Sequence, residues 1–333
     1  MTKLERIAVI GAGAWGTALA LVATRAGREA ILWAREREIV DAILKRRENT
    51  LFLPGIRLDP PFAVTGELHT ALEEVDAAIL AVPAQYLRAL LGKIVHYIPP
   101  GAVLVIGAKG IEQDTGALLS EAIADALPEH PLAILSGPTF AGEVAKGLPT
   151  AVTVAARERD TAEAVALALG GRGFRPYASD DPVGAEIGGA VKNVIAIACG
   201  IVVGRGLGEN ARAALLTRGL AEMTRLGVAK GAKPETFMGL SGLGDLTLTC
   251  GSPQSRNMSL GAAIGAGRAL ADILAERRSI AEGVTTAPAV LALAKTLGVE
   301  MPICAAVDAV LHRGADLDAT IEALLRRPLK AES

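Results

Sequence analysis

The chain has 333 residues and a formal net charge of −2, and 51% of its residues are apolar while 3% are aromatic. Because a single hydrophobic core rarely grows beyond about 250–300 residues, this length predicts two domains. Few aromatic residues and the lack of a long Lys or Arg run disfavour a nucleic-acid-binding surface. We therefore expect no nucleic acid among the partners.

The three cysteines, Cys199, Cys250 and Cys304, lie far apart in the sequence. They form no Cys-x-x-Cys pair, and no histidine accompanies them at metal-ligand spacing. This pattern excludes a disulfide framework and the familiar zinc sites. The sequence predicts buried free thiols in a reducing compartment and no metal.

One uncharged segment, Ile7–Thr24, follows Lys3 and Arg6 and so imitates a signal peptide or a membrane span. Three glycines interrupt it, and the apolar run before the first of them has the length of a strand. A buried strand followed by a buried helix gives the same hydropathy. No other segment resembles a span, so we predict a cytoplasmic protein without a membrane span.

Short β-rich runs alternate with helical stretches in the first half of the chain. The predicted strands are Arg6–Ile10, Ala30–Trp33, Ala77–Val82, Val103–Ile106, Leu132–Leu135 and Ala151–Ala155, with Phe174–Tyr177 as a last edge strand. The predicted helices between them are Thr17–Ala26, Glu36–Arg47, Gln85–Val95 and Gly116–Ala126. Near-continuous apolar strands separated by helices indicate an α/β fold with a doubly wound, mostly parallel sheet.

Helical periodicity replaces the strand pattern after about residue 182. The predicted helices are Val183–Gly204, Glu209–Lys230, Met258–Ile264, Val284–Leu297, Ile303–Arg313 and Ala319–Arg326. We therefore predict an α/β domain at residues 1–182 and an all-α domain at residues 183–333.

A Gly-Ala-Gly-Ala-Trp-Gly motif at residues 11–16 follows the first predicted strand and opens a helical run. In G-x-G-x-x-G motifs the first glycine permits a tight turn, the second lets the backbone approach a pyrophosphate, and the third lets helix and strand pack closely. The helix N-terminus also favours an anion. In this position the motif predicts a Rossmann-type dinucleotide site at Gly11, Gly13 and Gly16. The alternative is a glycine-rich turn that binds nothing.

Arg35 stands nineteen positions after Gly16, at the end of the second predicted strand. An acidic residue usually holds the ribose of NAD at this place, whereas an arginine can pair with the 2′-phosphate of NADP. The neighbouring Glu36 leaves NAD open, and a solvated charge at the strand end is the alternative for Arg35. We favour NADP(H) as the cofactor, with NAD(H) as a second one.

Many hydroxyl dehydrogenases use a histidine to move the proton that accompanies hydride transfer. The four histidines of this chain lie in polar connections or in helices and are interpreted as structural or solvated. They are His69, His96, His130 and His312. The proton donor must therefore be another type of residue.

Two lysines in apolar surroundings are better candidates. Lys109 follows the strand Val103–Ile106, at the carboxyl edge of the sheet where ligands collect in open α/β folds. Lys192 lies in the segment Ala185–Cys199, which carries almost no other charge. Burial and a second cation would lower its pKa from about 10.4 to about 7–8, a range that suits a general acid/base. The alternative is a lysine that reaches the domain interface or pairs with Glu186.

Two polar groups follow in the second half. The glycine-rich segment Gly239–Leu248 holds one acid, Asp245, which suits a carboxylate held against a catalytic lysine or a substrate hydroxyl. A residue of an Asx turn is the alternative. Ser255, Arg256 and Asn257 precede a helical run, where hydroxyl, guanidinium and helix N-terminus together form a phosphate site.

Blocks of sequence in this order resemble the bacterial NAD(P)-dependent glycerol-3-phosphate dehydrogenases. The matching blocks are GAGAWGTALA, AVPAQYLR, GAKGIE, LSGPTFAGEVAKGLPTA, VKNVIAIACGI, GLSGLGDLTLTC, SRN and AEGVTTAP. They extend from the first predicted strand to about residue 288. The combination of Trp15, Gly137-Pro138-Thr139 and Lys192-Asn193 is more specific than the glycine motif alone.

The resemblance implies reversible hydride transfer between a nicotinamide and C2 of sn-glycerol 3-phosphate, giving dihydroxyacetone phosphate, as a supply for glycerophospholipid synthesis. It implies Lys192 as general acid/base, with Lys109 and Asp245 beside it in the catalytic centre. The implied substrate contacts are Lys109, Gly137, Thr139, Lys192, Asp245, Ser255, Arg256 and Asn257. The implied cofactor contacts are Gly11, Gly13, Ala14, Trp15, Gly16, Arg35, Lys109, Ala141, Arg256, Ile280 and Glu282. A homodimer formed through the helical, substrate-binding domain follows from the resemblance alone.

Two positions depart from the family pattern. Ala14 stands where many relatives have serine, and Thr285 stands where many have arginine. Two alternatives stay open: another dehydrogenase of this architecture that acts on a small acid, and a dinucleotide sensor without chemistry. The lysines argue against a sensor, since a sensor needs no proton donor.

Overall fold

The computed structural model describes residues 3–276 and 281–328. Its strands are β1 (Arg6–Ile10), β2 (Glu29–Trp33), β3 (Ala63–Thr65), β4 (Ala77–Leu80), β5 (Val103–Ile106), β6 (Leu132–Ser136), β7 (Thr150–Ala155) and β8 (Phe174–Ser179). They form one sheet in the order β3-β2-β1-β4-β5-β6-β7-β8. Its neighbouring strands are parallel except β6 and β7, which are antiparallel. The predicted mostly parallel, doubly wound α/β sheet is confirmed.

Seven helices of this half connect the strands and cover the sheet in the described residues. They are α1 (Ala14–Arg25), α2 (Arg37–Arg46), α3 (Leu68–Leu72), α4 (Leu87–Ile94), α5 (Leu119–Ala126), α6 (Ala141–Ala145) and α7 (Arg159–Leu169). Successive residues of β1 belong to two different cores: Ile7 and Val9 to one, Ala8 and Ile10 to the other. Burial on both faces explains why these strands read as continuous apolar runs.

The second half is helical. Its helices are α8 (Pro182–Gly204), α9 (Glu209–Ala229), α10 (Asp245–Gly251), α11 (Arg256–Gly265), α12 (Leu270–Glu276), α13 (Glu282–Thr296), α14 (Pro302–His312) and α15 (Leu317–Leu325). Asp181 caps α8, because its Oδ1 accepts a hydrogen bond from the Gly184 N–H at 2.9 Å and Pro182 occupies the first turn.

Helix α8 is the axis around which the helical half packs. A Cβ at Gly200 would lie 2.0 Å from the Met258 carbonyl oxygen, and one at Gly261 would lie 2.0 Å from the Ile197 carbonyl oxygen. The backbones of α8 and α11 therefore touch, and only glycine permits this approach. The close contact fixes the catalytic candidates on α8 relative to the N-terminus of α11.

Two differences from the predicted elements have physical reasons. The expectation that no segment beyond Ile7–Thr24 resembles a membrane span is wrong for α8, which is long and apolar enough by length and composition. In the fold 89% of the apolar stretch of α8 is buried, so α8 is a core helix. The edge strand β3 and the helices α3, α6, α7, α10 and α12 are absent from the predicted elements, since they are short or rich in alanine.

Candidate active site

The glycine loop joins β1 to α1 as the motif predicts. Gly11 has a φ of +117°, which side-chain-bearing residues rarely adopt. A Cβ at Gly16 would lie 1.8 Å from the Gly11 carbonyl oxygen, so helix and loop are in close contact. A Cβ at Gly13 would meet nothing within 4 Å, which leaves open space in front of this backbone. A dinucleotide pyrophosphate fits such a cradle at a helix N-terminus.

Trp15 and Ala14 lie in the first turn of α1. The Trp15 indole Nε1 donates to the Gly107 carbonyl oxygen at 3.1 Å, which ties the glycine loop to the end of β5. Gly107 begins the loop that carries Lys109, so the predicted cofactor loop and one predicted catalytic lysine are held together. Ala14 has no side-chain hydroxyl, so the loop offers its backbone N–H groups at this position.

Arg35 and Glu36 form an ion pair between β2 and α2. The Arg35 Nη2 lies 2.7 Å and its Nε 3.0 Å from Glu36 Oε1. The Arg35 side chain is 74% exposed. The guanidinium therefore stands free of the core at the strand end, where the ribose of a bound dinucleotide is expected.

Lys109 lies in the loop after β5, at the carboxyl edge of the sheet. Its Nζ donates to Asp245 Oδ2 at 2.7 Å and to the Gly137 carbonyl oxygen at 3.1 Å. Gly137 follows β6 with a φ of +138°. The Thr139 Oγ1 donates to the same carbonyl at 3.2 Å. The loops after β5 and β6 thus converge on Lys109, and Ala141 opens α6 two residues after Thr139.

Lys192 lies in the middle of α8, with 5% of its surface exposed. Its Nζ donates to Asp245 Oδ1 at 2.5 Å and to Thr249 Oγ1 at 3.0 Å. Asp245, at the start of α10, is fully buried and accepts from both lysines through its two oxygens. The proposed alternative pairing with Glu186 is wrong, because Glu186 accepts from the Ser120 backbone N–H and hydroxyl instead.

Burial dominates the electrostatics of this cluster. It lowers the pKa of Lys192 to about 8; the Asp245 charge opposes the shift, and the Lys109 charge reinforces it. For Asp245 burial raises the pKa, but the charges of Lys109 and Lys192 outweigh it, so the pKa lies below the usual value. The cluster therefore holds one carboxylate between two lysines, of which Lys192 can exchange a proton near neutral pH.

Ser255, Arg256 and Asn257 form the N-terminus of α11. The Ser255 Oγ accepts from the Met258 N–H at 3.2 Å and so caps the helix. The Asn257 Nδ2 donates to Asn193 Oδ1, and its Oδ1 accepts from the Gly283 N–H, both at 2.9 Å. This buried amide pair links the residue after Lys192 to the start of α13.

Glu282 opens α13 beside the cluster. Burial raises the pKa of its carboxyl, opposed by the charges of Arg256, Lys109 and Lys192. Glu282 therefore lies within electrostatic reach of three of the predicted site cations. Thr285, one turn further along α13, donates to the Glu282 carbonyl oxygen at 3.1 Å. Ile280, also predicted at the cofactor, lies outside the described residues.

Two polar contacts of Lys192 and its neighbour are absent from the predicted site. Thr249 follows Asp245 by one helical turn and contacts the lysine Nζ; this i+4 spacing in the sequence was the available signal. Asn193 contacts Asn257 across α8 and α11, a pairing that no local pattern reveals.

Two of the histidines contact backbone carbonyl oxygens. His130 Nδ1 lies 3.0 Å from the Ala102 carbonyl oxygen, and His312 Nε2 lies 2.8 Å from that of Val284. The Val284 carbonyl lacks its usual helical donor, because residue 288 is proline. All three cysteines are buried as free thiols. Among the described residues no group of three or more His, Cys, Asp or Glu is arranged to hold a metal ion.

Family comparisons cover both halves of the chain. A model of the NAD-dependent glycerol-3-phosphate dehydrogenase N-terminus matches residues 6–162. A model of the NAD-dependent glycerol-3-phosphate dehydrogenase C-terminus matches residues 181–322. The two matches together include every predicted catalytic residue.

Individual relatives agree with these models. A glycerol-3-phosphate dehydrogenase (NAD(P)+) of Rhodospirillum rubrum is 60% identical over 329 residues, covering 99% of this chain and 94% of that protein. A protein of the same name from Caulobacter vibrioides is 55% identical, with 99% of each chain covered. The crystal structure of glycerol-3-phosphate dehydrogenase from Coxiella burnetii superposes with a TM-score of 0.93 at 39% identity, covering 97% of this chain and 99% of that one.

Proposed function

Because the chain belongs to the NAD-dependent glycerol-3-phosphate dehydrogenase family, we propose that its buried lysine–aspartate cluster carries out the proton step of the family's reaction. The protein is an NAD(P)-dependent oxidoreductase that interconverts dihydroxyacetone phosphate and sn-glycerol 3-phosphate. The observation that carries the assignment of roles is Asp245, which accepts hydrogen bonds from Lys109 and Lys192 at once. The agreement of this centre with the sequence motifs leaves neither a small-acid dehydrogenase nor a sensor favoured.

The nicotinamide, when bound, supplies the hydride for the C2 carbonyl of dihydroxyacetone phosphate or accepts it from C2 of glycerol 3-phosphate. In reduction the carbonyl oxygen becomes negative, and the Lys192 ammonium gives it a proton. Lys109 stabilises the developing charge on this oxygen. In oxidation the neutral Lys192 amine takes the proton of the C2 hydroxyl. One proton is thus consumed in reduction and released in oxidation.

Asp245 acts by position and charge. Its two oxygens hold the two Nζ atoms on one carboxylate, so both lysines are oriented toward one reacting oxygen before the substrate arrives. The carboxylate also keeps Lys192 from losing its proton at still lower pH, since its charge opposes the effect of burial. Lys109 acts in the opposite direction, so the two neighbours together place the pKa of Lys192 near 8.

The substrate's phosphate and hydroxyls are assigned to the residues around this cluster. Ser255, Arg256 and Asn257 bring a helix N-terminus and a guanidinium to the side of α8 that carries Asn193. Gly137 and Thr139, in the loop after β6, are assigned to the side of the substrate site that faces the sheet. The phosphate is remote from C2, and its binding energy orients the reacting carbon.

NADP(H) is assigned as the favoured cofactor and NAD(H) as the second. The cofactor contacts are Gly11, Gly13, Ala14, Trp15, Gly16, Arg35, Lys109, Ala141, Arg256 and Glu282, together with Ile280 from the sequence. The exposed Arg35 guanidinium supports recognition of a 2′-phosphate, and Glu36 beside it can accept a hydrogen bond from a ribose hydroxyl.

Assembly, compartment and domain division complete the proposal. A homodimer through the helical domain is supported by the exposed apolar side chains of Val203 and Leu207 near the α8–α9 turn. Size-exclusion chromatography with light scattering would show a mass of about 68 kDa, twice the 34.2 kDa of the chain.

Buried free thiols support a cytoplasmic location. The dinucleotide-binding domain is assigned to residues 1–182 and the substrate-binding domain to residues 183–333.

The experiment that tests the proposed function is absorbance at 340 nm with dihydroxyacetone phosphate, run in parallel with NADPH and NADH. We expect oxidation of both cofactors, faster with NADPH at low cofactor concentration. Dihydroxyacetone without the phosphate should lose kcat as well as affinity. Folded protein that binds a cofactor but oxidises neither one would contradict the substrate assignment, and undiminished kcat with dihydroxyacetone would contradict the role of the phosphate.

A further inference from the structure

A buried asparagine outside the proposed site is bonded directly to the glycine loop. Asn49 lies in the connection between α2 and β3 and has no exposed surface. Its Nδ2 donates to the Ala12 carbonyl oxygen and to Thr17 Oγ1, both at 2.8 Å. Its Oδ1 accepts from the Phe52 N–H at 3.1 Å. Both amide hydrogens of Asn49 are therefore committed to the loop and to the first turns of α1.

The bond to Ala12 determines which way one peptide group of the loop faces. In a planar trans peptide the C=O of one residue and the N–H of the next point in opposite directions. Asn49 holds the Ala12 carbonyl on its own side, so the Gly13 N–H points to the other side. Because glycine tolerates many backbone angles, Gly13 by itself leaves this peptide free to rotate.

Open space lies beside Gly13, and the Gly13 N–H is assigned to this side of the peptide. A Cβ at Gly13 would have no neighbour within 4 Å, whereas the flanking Gly11 and Gly16 are crowded by backbone. An N–H that faces this space can donate to a pyrophosphate oxygen. A rotated peptide would present the Ala12 carbonyl oxygen instead, and an oxygen dipole repels the anion.

We propose that Asn49 is a positioning residue for the cofactor, which fixes the Ala12–Gly13 peptide with its N–H toward the pyrophosphate. The inference rests on the proposed placement of the dinucleotide at the glycine loop. It predicts that Asn49 controls cofactor affinity and leaves the proton chemistry of Lys192 unchanged.

Thr17 provides the matched control. It is as buried as Asn49 and accepts the second amide hydrogen of the same side chain. Thr17→Val therefore breaks one hydrogen bond of Asn49 at equal depth but preserves the bond to Ala12. A purely structural role of Asn49 predicts similar effects for Asn49→Ala and Thr17→Val, whereas a positioning role predicts different ones.

The test measures dissociation constants for NADPH and for adenosine 2′-monophosphate, which lacks the pyrophosphate, by calorimetry on wild type and both variants. We expect Asn49→Ala to raise the Kd for NADPH about tenfold or more. In this variant we expect the Kd for adenosine 2′-monophosphate and the kcat at saturating cofactor to stay within about threefold of wild type. Thr17→Val should keep all three values within about threefold of wild type, even if its melting temperature falls as far as that of Asn49→Ala.

The inference would be overturned by an unchanged Kd for NADPH in Asn49→Ala. It would equally be overturned by a loss of adenosine 2′-monophosphate binding as large as that of NADPH, including the case where the variant fails to fold, since that pattern denotes a structural role. Failure of the proposed function is distinguishable, because it would appear in the wild-type protein as failure to bind NADPH or to turn over dihydroxyacetone phosphate.

Discussion

The two charged clusters assigned to catalysis and to cofactor choice differ above all in their exposure to water. The side chains of Lys192 and Asp245 are 7% and 1% exposed, whereas that of Arg35 is 74% exposed. Around the buried cluster every charge acts at low dielectric, so each partner shifts the pKa of the next. Around Arg35 water screens the same kind of pair. Changes in the first cluster should therefore alter rate, and changes in the second should alter selectivity.

The largest effect is expected at Lys192. Lys192→Ala removes the proton donor and should lower kcat by about 10²–10⁴-fold, with a smaller change in KM for the cofactor. Steady-state kinetics at 340 nm measure it. Lys45→Ala, which removes a lysine whose side chain is 74% exposed, is the control and should leave kcat unchanged. A Lys192→Ala variant within a few-fold of wild type would remove this residue from the proton step.

Lys109 comes next, because it is expected to touch the reacting oxygen. Lys109→Met should lower kcat by about 10²–10³-fold through the loss of a charged donor at the developing oxyanion. Removal of its charge also removes a contribution that lowers the pKa of Lys192, so the pKa of Lys192 should rise. The pH above which reduction slows should therefore move upward. A downward shift would contradict the assigned geometry.

Asp245→Asn tests the carboxylate that joins the two lysines. The isosteric amide keeps the volume but loses the charge, so both lysines lose their shared anchor and kcat should fall about 10²-fold. The Asp245 charge raises the pKa of Lys192, and its loss should move that pKa downward, the opposite of Lys109→Met. Profiles of kcat against pH for the two variants check this difference in sign. Profiles of both variants that stay at the wild-type pH would show that burial alone sets the pKa, and shifts in the same direction would contradict the opposite roles of the two charges.

The smallest effect is expected at the exposed pair. Arg35→Gln should reduce the ratio of kcat/KM for NADPH over NADH by about tenfold, chiefly through KM for NADPH, and should leave kcat unchanged. The wild-type preference should also weaken as salt is added, because the pair is exposed. Arg37→Gln, at the neighbouring exposed arginine of α2, is the matched control. Equal losses with NADPH and NADH would show that Arg35 does not contact the 2′-phosphate.

Features that leave a local pattern of apolar residues, glycines or isolated charges could be predicted from the sequence. Strands β1, β4 and β5 are buried on both faces, so their apolar runs identify them, and the glycine motif places the turn after β1 because only glycine fits there. Lys109 and Lys192 are recognisable because burying a charge in an apolar segment is unfavourable, so a lysine there indicates a function or a charged partner. These features are local, and local patterns are visible in one sequence.

Features that depend on distant pairing could not be predicted. The glycine-rich segment around Asp245 indicated a carboxylate held against a catalytic lysine or a substrate hydroxyl, but no local pattern shows that one carboxylate accepts from both Lys192 and Lys109, which lie 53 and 136 residues away. The Asn193–Asn257 pair likewise joins two helices. The contact of Asn49 with Ala12 also spans three elements, α1, β2 and α2. The antiparallel pairing of β6 with β7 depends on the path of the connection between them, which contains the short helix α6 and does not reveal the strand direction locally. Resemblance to a family supplied the roles of several residues that spacing alone left open.

The central claim is that Lys192 supplies the proton, and the pH dependence of the reaction in both directions tests it most directly. The measurement is kcat at saturating substrate and cofactor between pH 7 and 10, above the titration of the substrate phosphate. The pKa of Lys192 is about 8, so reduction, which needs the ammonium, should be constant below this pH and fall above it. Oxidation, which needs the amine, should rise through the same pH. Profiles that run in the same direction, or that persist unchanged in Lys192→Ala, would contradict the account.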